Sequence, residues 1–245
     1  MTISEIGRPA LLASLIWAAA VACAPAMAVA ETPVASVVAG IDPATLLPAP
    51  PTRGSGRERD ELGELRALMA SRAPDALASA RWDDAHEDPS AFAAVLAPTY
   101  DLKALPQTVH LLDLAQDTGD AVVARAKTRF RRLRPFRIDP TINGCPTESI
   151  GAYSSYPSGT AAFGWVVATV LSDLAPEKAE ALRARAEAYG HNRMVCGMHF
   201  RSDVEAAKII GVAVGRDLMA APELQSQIAA ARAEMAAARA VRAAR

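Results

Sequence analysis

Lys127 and Arg134 stand seven residues apart, and both side chains leave one face if a single helix runs through them. There they can grip one phosphoryl group, Arg as a fork and Lys as a point charge. Pro135 then stops that helix and holds Arg134 at its end. Downstream, Pro157-Ser158-Gly159 precedes the apolar run Ala161 to Val167. Ser158 can cap a helix there, whose free N–H groups bind phosphate oxygens, and Gly159 lets a ligand approach the backbone. His199 and Asp203 are four apart, so the carboxylate can hold Nδ1–H and present Nε2 as a nucleophile. Arg193, six residues before His199, can return to the same phosphate. Taken singly, these are equally a solvated basic face, a capped core helix and a structural His–Asp pair. Their order and spacing in one chain point to phosphoryl chemistry.

The elements that must carry these groups read as helices. Ala is abundant, aromatics are 5%, and few stretches alternate, so an all-α, single-domain helical bundle is expected. Helical pattern runs from Arg57 through Ala70, more weakly around Asp75 to Ala85, and from about Pro106 to Arg132, where Gly119 can interrupt it. Asp139 to Tyr156 has the composition of a loop. Helices follow at Ser158 to Leu174, Pro176 to about Arg193 and Ser202 to Met219. The Pro- and Gly-rich residues 31–56 read as an extended arm, 57–230 as the helical domain, and 231–245 as an Ala/Arg-rich helical tail with a frayed end.

Arg8 precedes an apolar run from Ala10 to Ala22, followed by Ala26-Met27-Ala28 and Ala28-Val29-Ala30, the small-residue sites that signal peptidase requires. Residues 1–30 are therefore expected to be a signal peptide cleaved after Ala28 or Ala30. A retained anchor and a lipidated Cys23 are the alternatives. The mature protein is expected to be soluble and exported, in a bacterial periplasm, with no membrane association after cleavage. Cleavage leaves Cys145 and Cys196, an even pair that reads as a disulfide in an oxidising compartment. Closing that loop contributes roughly 4 kcal/mol in the chain-entropy model. Net charge is −1, which argues against a generic polyanion binder. Arg125, Lys127, Arg129, Arg131, Arg132, Arg134 and Arg137 are locally basic, but with little aromatic interleaving no nucleic-acid partner is expected.

The three segments resemble the class A bacterial non-specific acid phosphatases of the type 2 phosphatidic acid phosphatase superfamily, which also contains vanadium haloperoxidases. The family pattern is Lys, six residues, Arg-Pro; Pro-Ser-Gly-His; and Ser-Arg, five residues, His, three residues, Asp. Lys127, Arg134, Pro135, Pro157, Ser158, Gly159, Arg193, His199 and Asp203 match it, with Asn192 where Ser is usual. The likeness runs from about Leu47-Pro48-Ala49-Pro50-Pro51 to the Gln225 region. It includes an acidic run before the Lys, here Asp117-Thr118-Gly119-Asp120. The resemblance implies the acid phosphatase/haloperoxidase helical fold and homo-oligomers. It implies phosphate monoesters as substrates and in-line attack by His199 to give a phosphohistidine that water hydrolyses. The cradle it implies is Lys127, Arg134, Arg193 and the Ser158 and Gly159 amides, with no metal or cofactor needed and vanadate as a phosphate mimic.

Thr160 departs from the pattern, since the resemblance puts the general acid, a His, at this position. A Thr hydroxyl does not titrate near neutrality, so work typically worth about 10²- to 10⁴-fold is missing. His86, His110 and His191 are the spare histidines. The expected function is a periplasmic phosphatase that favours good leaving groups. A catalytically weak phosphate- or vanadate-binding protein and a vanadium-dependent haloperoxidase are the alternatives.

Overall fold

A helix that is apolar on every side must sit inside a bundle, and the run after Ser158 is such a helix. In the computed structural model, which describes residues 33–146 and 150–244, it forms α8 (Gly159–Leu174) and is buried along nearly its whole length. The expected signal segment and its cleavage sites lie outside the described residues. Around α8 pack α6 (Pro106–Phe130), α9 (Ala179–Val195) and α10 (Arg201–Ala220). Small residues set these approaches: a Cβ at Gly211 of α10 would lie 2.5 Å from Trp165 Cβ and 2.6 Å from Ala162 O. α3 (Gly56–Ser71) and α4 (Pro74–Ala85) flank α9, and α11 (Gln225–Ala243) lies on α6. Short helices complete the described chain: α1 (Pro33–Gly40), α2 (Pro43–Leu46), α5 (Ala93–Leu96) and α7 (Pro135–Ile138). No strand occurs among the described residues, and the fold is the all-α single-domain bundle expected.

Several expectations need correction. Gly119 does not interrupt α6; it lets the helix close on α8, where a Cβ would meet Val166 Cγ2 at 3.2 Å. α6 ends at Arg131, in left-handed conformation with φ 47°, rather than at Pro135. Lys127 and Arg134 therefore do not share a helix face. Residues 31–56 are not simply an extended arm. α1 and α2 pack on α6 and α10, and Val37, Ile41 and Leu47 are buried. The expected boundary at residue 231 falls inside α11, where Ile228, Ala231 and Met235 are buried. Glu234 of that helix accepts from the N–H groups of Gln107 and Thr108, capping α6, whose own N-cap residue offers no side chain.

Candidate active site

The loop from α9 to α10 presents the histidine. Gly197 turns the chain at φ +71°, and a Cβ there would lie 2.9 Å from Ile142 Cγ2, so glycine is needed for conformation and for space. Its N–H donates to Met194 O, and that of Met198 to Arg193 O. Cys196 is bonded to Cys145, which fastens this loop to the one preceding α8. Asp84 lies beside these two sulfurs, but joined to each other they offer no thiolate to a metal.

His199 is buried, and its Nδ1 lies 3.3 Å from Asp203 Oδ2. Arg134 Nη1 donates to its Nε2 at 2.6 Å. A guanidinium only donates, so Nε2 carries the lone pair and Nδ1 the proton. Burial first, then Arg134, Arg193 and Lys127, hold His199 well below the usual imidazole range. It is a neutral base with its lone pair turned toward cations, the state a nucleophile requires.

Asp203 is the third residue of α10 and is held on both oxygens. Oδ2 accepts from the Ser155 hydroxyl at 2.6 Å and the Phe200 N–H at 2.9 Å; Oδ1 accepts from Arg132 Nη1 at 2.6 Å. Burial pushes its pKa up to about 6 against the pull of Arg132, Ser155 and Phe200. Arg132 also donates to Ser202 Oγ and Glu61 Oε2, both at 2.7 Å, and lies 3.8 Å over the Phe200 ring. Arg132, Ser155 and Glu61 were not recognised as site residues from sequence. Arg132 lay in the basic run, read as a patch, while Ser155 and Glu61 carried no signal at all.

Lys127, Arg134, Arg193, Gly159, Thr160 and His199 line one cavity of about 470 Å³. Burial, then Arg134, lowers Lys127 to about 8, and burial lowers Arg134 to about 10. Arg193 is buried, donates to Asp84 at 2.5 Å, and keeps Nε without a partner among the described residues. Ser158 caps α8 by accepting from the Ala161 N–H at 3.3 Å. Its own N–H donates to Asp203 O, so this amide, expected to hold phosphate, is already engaged. The Gly159 and Thr160 amides are the first of α8, at the positive end of its dipole, and both residues line the cavity. A Cβ on Gly159 would stand 3.2 Å from Lys127 Nζ, so a side chain there would press on the ammonium.

The basic run does not form one surface. Arg125 donates to the Val38 and Ile41 carbonyls, Arg132 and Arg134 are buried, and Arg131 lies over the Tyr153 ring. The spare histidines are elsewhere too. His86 stacks on Trp82, His110 and His191 are exposed, and none of them lines the cavity.

Residues 114–225, which include Lys127, Arg134, Gly159, Thr160, Arg193, His199 and Asp203, match the PAP2 superfamily. The chain is 32% identical over 213 residues to a non-specific acid phosphatase of Providencia stuartii, covering 80% of this chain and 82% of that one. A non-specific acid phosphatase of Salmonella typhimurium is also 32% identical, over 64% of this chain and 67% of its own. The crystal structure of Aquifex aeolicus LpxE shares the fold, with a TM-score of 0.52 and 24% identity over 65% of this chain and 94% of that one. The chain belongs to the PAP2 superfamily and, within it, to the family of the non-specific acid phosphatases.

Proposed function

We propose that this protein is a phosphatase acting on small phosphate monoesters through a phosphohistidine on His199. The observation that carries the reading is the neutral, buried imidazole whose Nε2 faces Arg134 in the cavity that Lys127 and Arg193 also line. Phosphate entering there displaces the Arg134 contact onto its own oxygens, freeing the lone pair for in-line attack. Lys127, Arg134, Arg193 and the Gly159 and Thr160 amides then stabilise the equatorial charge. As Nε2–P forms and the ester P–O bond breaks, the Nδ1 proton stays on the side of Asp203, which steadies the phosphorylated ring. Vanadate is expected to occupy the same cradle and inhibit.

Position 160 offers a hydroxyl without a usable pKa, so a proton for the leaving alcohol must come from elsewhere in the cavity, and esters of acidic alcohols, which need it least, are favoured. No helix among the described residues is long and apolar enough to cross a membrane. The signal-like N-terminus, Arg8 before an apolar run and small-residue cleavage sites, supports action in the periplasm. The test is kcat/KM for a series of aryl and alkyl phosphates. It should fall as leaving-group pKa rises, and Thr160→His should flatten the slope; a flat series in the unmodified protein contradicts the leaving-group preference.

A further inference from the structure

The acidic run before Lys127 has no part in the mechanism so far, yet it reaches the cavity. Asp120, Val123 and Lys127 line the wall together, so it is Asp120 and Lys127, seven apart on α6, that share a helix face. Helix side chains lean toward the N-terminus, which carries the long Lys127 stem back over the preceding turn. The contacts agree: the point where a Gly159 Cβ would stand is 3.2 Å from Lys127 Nζ and 3.7 Å from Val123 Cγ1. A phosphate held by Lys127 and the start of α8 thus lies at the level of Val123, three residues from Asp120, or about 4.5 Å along the helix.

The other acids on the wall are less suited. Asp84 is committed to Arg193, and Glu87 stands in the loop after α4. Asp120 is open to solvent on one side and is fixed to a rigid helix on the other. Resting on the phosphohistidine reading, we propose that Asp120 gives the proton to the leaving alcohol and later takes one from the attacking water.

In the first step the ester oxygen receives the Asp120 proton as its bond to phosphorus breaks and Nε2–P forms. In the second, water gives its proton to the Asp120 carboxylate as its oxygen bonds to phosphorus and Nε2–P breaks, which restores the acid. The surroundings of Asp120 favour the protonated form it needs for the first step. Burial, then Glu87, and also Asp117 raise its pKa, and Lys127 opposes them.

The experiment compares kcat/KM for an aryl and an alkyl phosphate in Asp120→Asn, Asp120→Glu and Glu87→Gln proteins. Asp120→Asn is expected to raise the aryl-to-alkyl ratio on the order of 10²-fold and to prolong the life of the phosphoenzyme. Asp120→Glu should recover part of the alkyl rate. Glu87→Gln should move the basic limb of the alkyl pH profile to lower pH, because it removes a charge that keeps Asp120 protonated. Equal loss on both esters, no loss on either, or failure of Asp120→Glu to recover any alkyl rate overturns the proposal. Absence of both turnover and labelling in the unmodified protein sinks the phosphatase reading instead.

Discussion

At the residue scale, the site is a neutral histidine among cations, two of which, Lys127 and Arg134, burial has weakened. Lys127 at about 8 is the most easily discharged of them. Because its pKa is lowered from 10.5, its charge is complete below about pH 8 and lost as pH rises through that value. The kcat/KM for an aryl ester should therefore fall above about pH 8, and Lys127→Arg, charged throughout, should carry the fall to higher pH. An unmoved alkaline limb in that variant would assign the titration elsewhere. Most of these residues were legible, because Lys, Arg, His and Asp at fixed spacings state their chemistry in one dimension. The inference that Lys127 and Arg134 share a helix face was not legible, since a left-handed turn at Arg131 intervenes.

At the scale of elements, the polar network around Arg132 joins three parts of the fold. It links Glu61 on α3, the loop after α6, and Ser202 and Asp203 at the start of α10. Removing the cation leaves Glu61 and Asp203 as buried carboxylates without their partner. Arg132→Met should destabilise the protein by about 3–5 kcal/mol in denaturant unfolding. It should also slow phosphorylation of His199, since Asp203 loses the contact that holds Oδ1. Unchanged stability would mean that the network is not set as described. Helices α3, α4, α6 and α8 to α10 could be read from their periodicity. What α1 and α11 do could not, because packing, not local pattern, decides whether an amphipathic or Pro-flanked helix docks. The Glu234 cap on α6 joins residues more than a hundred apart in sequence and left no local sign.

At the scale of the molecule, one buried helix, α8, presents its first amides to the cavity while α6, α9 and the α9–α10 loop bring the cations and the histidine to the same place. The disulfide between Cys145 and Cys196 ties that loop to the chain entering α8, so His199 and the start of α8 are fixed to one frame. The spacing of the motifs pointed to this convergence; of the cavity's acidic side only the run ending at Asp120 was marked in the sequence, and Asp84 and Glu87 emerged from the fold. The central claim is covalent catalysis at His199. Rapid quenching of the mature protein during turnover of an aryl phosphate, followed by peptide mapping, should find an acid-labile, base-stable phosphoryl group on the His199 peptide. His199→Ala should abolish the label together with turnover. Steady turnover without a phosphorylated His199 peptide, or undiminished turnover by the His199→Ala protein, would contradict it.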